Sequence, residues 1–179
     1  MQVREIAEAI VCSEDIELKL AALPEDLDDS QPGSPLRIEK PGRPAGLVPR
    51  PIREAQVPSV RGYHDPNQRA RILHSFANHE LQAVELFAWA LLAFPDAPPD
   101  YRSGLLRILA EEQRHTRMYI ARLKKLGGEL GDYPVSSYFW NKTPQLTTPL
   151  RFACAMSLTF ENANLDHTTD SAAEILKAG

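Results

Sequence analysis

Cysteine is scarce in this chain of 179 residues: Cys12 and Cys154 lie far apart and form no C-x-x-C pair, which excludes a disulfide framework and a cysteine-rich zinc site. Long apolar runs are missing too. None approaches the roughly 20 residues of a membrane span, and the first turns carry Glu5, Glu8, Glu14 and Asp15, unlike a secretion signal. The expected location is therefore cytoplasmic, with no membrane partner. Positive charge is not in excess: 20 Lys and Arg are interleaved with 24 Asp and Glu for a net charge of −4, so no basic field invites nucleic acid. No convincing pair of alternating strand patterns occurs either, and the class is read as all-α.

What is present suits one sizeable core, with 43% hydrophobic and 25% charged residues, as in an ordinary globular domain. The first two dozen residues read as a short amphipathic helix carrying Ile6, Ile10, Val11, Leu18 and Leu20. From Pro24 to His64, eight prolines and an acidic run from Asp26 to Asp29 remove any sustained period. Leu36, Ile38, Leu47, Val48, Ile52 and Val57 interrupt that polarity, so this stretch is expected to be an extended arm laid along grooves of a helical core. The chain thus divides into residues 1–64, helix and wrapping arm, and 65–179, a helical bundle.

Three long helices are expected in the second part. Asp65-Pro66 pairs an N-cap with proline at the first helical position, and helix formers continue to Phe94. The second helix starts near Pro98 or Pro99 and stops at Gly127-Gly128 after Lys124 and Lys125. The third starts at Thr148-Pro149 and runs to Gly179. About four residues separate the first two, which makes them antiparallel neighbours. About twenty separate the second and third, enough for a crossover along the bundle or for a folded loop.

Each helix carries an apolar stripe interrupted by acid at mid-length. Leu73, Phe76, Ala77, Val84, Phe87, Ala88 and Leu91 leave a gap filled by Glu80. Leu105, Ile108, Leu109, Thr116, Tyr119 and Leu123 enclose Glu112 and His115, and Leu150, Cys154, Leu158, Leu165, Ala172 and Leu176 enclose Glu161. No Lys or Arg shares these stripes. Facing carboxylates in a core require a cation, shared protons or basic partners. The i, i+3 spacing of Glu112 and His115 places carboxylate and imidazole side by side on one helix face, where both can hold one ion. Such an oxygen and nitrogen set suits iron, manganese or zinc better than calcium. Glu111, Arg114 and Glu85 fall off the stripes and read as solvated or salt-bridged, His79 as a helix-interface histidine and Tyr119 as core packing or as a phenol near the ligands. His74 has no partner in the sequence, and Trp89 and Trp140 read as packing.

The runs His79-Glu80-Leu81-Gln82-Ala83-Val84-Glu85-Leu86, Glu111-Glu112-Gln113-Arg114-His115 and Glu161-Asn162-Ala163-Asn164-Leu165-Asp166 resemble the bacterial ferritin-like family catalogued as domain of unknown function 455. The likeness covers about Asp65 to the end, including the Gly-Asp-Tyr-Pro segment and aromatic cluster between Leu126 and Trp140. It implies a four-helix, carboxylate-bridged bundle of the di-iron type with Glu80, Glu112, His115 and Glu161 as ligands. A further E-x-x-H on a fourth core helix is implied as well. This sequence ends at Gly179 before such a helix, so truncation and a missing fourth helix are expected. The family carries no settled reaction.

Three functions follow. The first is a non-haem oxidoreductase or oxygen-activating protein, with iron or manganese, zinc also fitting, acting on a small molecule. The second is a catalytically inactive interaction module that self-associates, as a homodimer, through the uncovered groove. The third is a tRNA-modifying hydroxylase, which the lack of a basic surface disfavours.

Overall fold

The computed structural model describes residues 1–156 and Ala172. Its described residues form the helices α1 (Val3–Cys12), α2 (Ile16–Leu20), α3 (Pro66–Ala93), α4 (Pro99–Lys125) and α5 (Pro149–Ala153), with short 3-10 turns at Ala45–Leu47, Val60–His64 and Trp140–Gln145. No strand occurs among the described residues, which hold only an isolated bridge between Gln2 and Asp28. The chain is all-α. None of the described helices is long and apolar enough to cross a membrane.

The N-terminal amphipathic stretch is two helices rather than one. Val3, Ala7, Ile10 and Val11 form the buried face of α1. The Asp15 side chain then accepts from the Glu17 and Leu18 amides, and this cap starts a new helix. After α2 the arm does wrap, but only in part. Leu36 and Ile38 lie against the core and Leu47 is buried. Val48, Ile52 and Val57 remain exposed, because the chain there turns over the surface rather than entering a groove. The wrapped half is fixed through its backbone: Leu36 N–H donates to Leu92 O, and the indoles of Trp89 and Trp140 donate to Ile38 O and Glu39 O.

Local signals set the start of α3 and the end of α4. Asp65 accepts from Asn67 N–H ahead of Pro66, and α4 ends as Gly127 takes φ 78°. That left-handed turn lets Gly127 and Gly128 donate to Lys124 O and Leu123 O. α3 and α4 form an antiparallel hairpin. Every residue from Val84 to Ala93 is buried, so this half of α3 is covered on all sides, by α1, α4, the arm and α5.

Residues 126–148 run the length of α3 as a crossover, held by polar side chains one turn apart on that helix. His74 Nε2 accepts from Gly131 N–H at 2.9 Å, Asn78 Nδ2 donates to Ser136 O, and Gln82 Oε1 accepts from the Phe139 and Trp140 amides. All three are buried. The segment rises beside α3 in the same direction and delivers α5 to the end of the hairpin where α3 stops and α4 begins. There Phe152 packs against Phe87, Trp89 and Phe94, and Tyr101 Oη donates to Pro149 O. Thr148 caps α5 by accepting from Arg151 N–H.

One stripe is displaced. Leu150, read as facing inward, is 73% exposed, and Phe152 and Met156 take the buried positions. A wider turn follows at Cys154–Met156. The continuation to Gly179 lies outside the described residues, except that Ala172, placed on the same inner stripe, is helical and exposed.

Candidate metal centre

Glu80 comes from the middle of α3 and Glu112 and His115 from the middle of α4, so the antiparallel hairpin brings the three together. Each offers one ligand atom, and these atoms all lie within 4.8 Å of one another. His115 Nδ1 is 3.4 Å from Glu112 Oε2 and 3.6 Å from Glu80 Oε2. The side chains are graded in exposure, 10% for Glu112, 23% for Glu80 and 37% for His115. Glu112 is the inner member. Its own carbonyl accepts from Thr116 Oγ1, which ties the next turn of α4 to the ligand-bearing one.

Atoms that share one transition-metal ion at roughly 2.0–2.2 Å lie no more than about 4.4 Å apart. The two imidazole–carboxylate separations meet that limit, and the whole set stays within 4.8 Å. Two carboxylates and a neutral imidazole also balance a divalent charge. On geometry and donor chemistry the residues fit such an ion. The outer nitrogen, His115 Nε2, is 3.0 Å from an Arg114 guanidinium nitrogen. With Nε2 accepting, Nδ1 carries the proton that points between the carboxylates, in the place a cation would take.

Glu161, the fourth residue expected in this set, lies outside the described residues. Glu111 and Arg114 are exposed, in keeping with their place off the stripe. His79 is partly buried with its ring edge on Phe139 of the crossover, and burial pulls its pKa below the ordinary value. It serves the interface. Tyr119, one turn beyond His115, packs on Phe76. Burial pushes its phenol pKa upward, and the charges of Glu80 and Glu112 add to the effect.

Glu85, read as solvated or salt-bridged, is salt-bridged, but in the core and not on a solvated face. Its side chain is fully buried between two cations. Lys19 Nζ reaches Oε1 at 2.9 Å, while Arg43 donates through Nε at 2.8 Å and NH2 at 2.6 Å. Arg43 also donates to Asn78 Oδ1, and the Lys19 ammonium further caps α1 at Ile10 O and Val11 O. Burial draws the Lys19 pKa down against the opposing pull of Glu85. A second ion pair does similar work at the other end, where Arg102 grips Asp29 with two nitrogens and donates to Leu91 O and Phe94 O. The signal in the sequence was position: Glu85 interrupts an otherwise apolar stretch at the end of α3, where a solvated face is not available.

Residues 3–179 match the family described as Protein of unknown function (DUF455). The match takes in α1, α2 and the arm as well as the helices after Asp65. No curated protein and no solved structure matches the chain.

Proposed function

The chain belongs to the DUF455 family, and from the residues gathered between α3 and α4 we propose that it is a ferritin-like, non-haem metal protein acting as an oxidoreductase. The observation that carries this reading is the convergence of Glu80, Glu112 and His115 within 4.8 Å. The path of the chain supports it: a short hairpin followed by a crossover along the bundle is the ferritin-like order. Glu80, Glu112 and His115 would hold the ion, with Glu161 as the ligand from the third helix. Iron or manganese suits this hard and borderline donor set best, and zinc fits it. A redox metal bound there would supply electron-transfer chemistry with coordination positions left for a small substrate.

The chain's own residues set the rest. Glu112 holds the inner position, His115 lies toward solvent, and Arg114 fixes the ring by donating to its outer nitrogen. An ion held at Nδ1 would take the place of the hydrogen there, and the neutral ring would then carry its hydrogen on Nε2.

The test is metal content. The full chain, purified after growth in medium supplemented with iron, manganese and zinc, should carry a stoichiometric transition metal by plasma mass spectrometry. Glu112→Ala should lose most of it and Glu111→Ala should keep it. A wild-type chain with no metal would refute the reading, and equal retention in both variants would move the site off this face of α4.

A further inference from the structure

The two halves of the candidate centre sit on different helices, so its geometry depends on how α3 is held against α4. Apolar packing alone tolerates small slides between helices. A polar tie with defined partners does not. One residue of the N-terminal segment makes such a tie to both. Lys19, at the centre of α2's last turn and fully buried, contacts α3 through its ammonium, 2.9 Å from Glu85 Oε1. Its carbonyl accepts from Gln113 Nε2 of α4 at 2.9 Å. Gln113 is the residue after Glu112, and Glu85 is five residues beyond Glu80. A neighbouring contact continues the line: Arg117 NH1 donates to Leu20 O.

We infer that α2 is a strap across the two ligand-bearing helices, and that Lys19 and Gln113 are positioning residues for the metal centre. The inference rests on the metal reading above. It gives a role to a buried lysine that the bundle does not need for charge balance, since Arg43 alone meets both oxygens of Glu85. It also assigns a function to the N-terminal segment that lies within the family match. Neither residue touches the ion position. Each acts by holding a helix in register, as partners behind metal ligands commonly do.

Lys19→Met keeps the length and apolar stem of the side chain and removes only the ammonium, leaving Glu85 paired with Arg43. Gln113→Leu removes the other end of the tie. Arg102→Met breaks a partly buried ion pair at the far end of the hairpin and serves as a control for destabilisation as such. Each full-length variant is checked for cooperative melting and titrated with cobalt(II), whose visible absorption reports coordination.

The strap predicts that Lys19→Met and Gln113→Leu bind cobalt about tenfold more weakly with an altered spectrum, and that Arg102→Met binds like wild type. In metal-free protein, amide exchange should accelerate around residues 80–85 and 112–116 in the two strap variants and not in the control. Wild-type affinity, spectrum and exchange in both strap variants overturn the inference while leaving the metal reading intact. So does an equal loss in Arg102→Met. A wild-type chain that takes up no cobalt refutes the metal reading itself.

Discussion

Glu80 and Glu85 lie on one helix five residues apart, and the chain treats them in opposite ways. Glu85 is enclosed by an ammonium and a guanidinium from two parts of the N-terminal segment. Glu80 instead turns an oxygen toward an imidazole and shares its surroundings with a second carboxylate. In the first, both carboxylate oxygens are taken up by cations of the chain itself. The second gathers ligand atoms at the spacing of an ion. Burial of an acid is therefore not in itself a sign of a site, and the identity of what faces it decides.

The largest expected effect tests the closed side. Glu85→Ala would leave Lys19 and Arg43 buried without their anion, which costs about 3–5 kcal/mol. For a chain of this size that is on the order of 10 °C in Tm, readable by circular dichroism. Glu80→Ala, at a position 23% exposed, should lower Tm by less than half as much. Equal losses would erase the distinction between the two acids.

Metal addition sharpens the same contrast from the open side. A ligand that binds only the folded state at about 100 times its Kd stabilises by about 2.7 kcal/mol. Iron(II) under anaerobic conditions, or manganese(II), should raise the Tm of the wild-type chain. It should leave Glu112→Gln unmoved and should still act on Arg102→Met. A rise of the same size in Glu112→Gln would place the ion elsewhere.

A smaller effect is expected between the two acids, at Gln82. Its Oε1 accepts from both the Phe139 and Trp140 amides. Gln82→Leu leaves those buried donors without their acceptor, a loss of about 1–3 kcal/mol. The indole of Trp140 should report it as a red shift in fluorescence as the crossover loosens. An unshifted spectrum with unchanged stability would mean that apolar packing alone holds the crossover on α3.

What the sequence made legible follows from the same contrast. Helix ends were readable because caps are local: Asp65-Pro66, Thr148-Pro149 and Gly127 each act within a turn. The convergence of Glu80, Glu112 and His115 between α3 and α4 was readable because a charge that interrupts an apolar stripe stands out against a 3.6-residue period. The burial of Glu85 escaped because the period assumes one buried face, whereas the second half of α3 is covered on all sides. Lys19, Arg43 and Arg102 escaped because a buried cation looks like a surface one until its anion, 66, 42 or 73 residues away, is brought to it. The split of α1 from α2 rests on one cap, Asp15, which a partly helical pattern conceals. For α5, Phe152 and not Leu150 takes the inner position because the end of the hairpin offers it the rings of Phe87, Trp89 and Phe94, which no helical period foretells.

The smallest expected effect concerns pH and the far end of the polar ladder on α3. His74 Nε2 accepts from Gly131 N–H, so the ring is neutral with its proton on Nδ1, and its edge meets Tyr133. Burial pulls its pKa below the ordinary value, while Asp132 opposes the shift. Arg71 stacks over Tyr133 and adds a positive charge to the same surroundings. In the unfolded chain the ring returns to about 6.5. Between that value and the lower folded one, the unfolded state binds more protons, so stability is complete above about pH 6.5 and declines as pH falls. One proton gives a slope no steeper than about 1.4 kcal/mol per pH unit. His79, also lowered by burial, contributes in the same direction. His74→Gln offers Gly131 an amide oxygen that does not titrate. Urea melts at pH 8, 7, 6 and 5 should show a shallower decline in the variant than in wild type, with the residual slope due to His79. A decline of unchanged steepness would mean that protonated His74 keeps the loop at Gly131 in place, and that this hydrogen bond is not what holds the start of the crossover to α3.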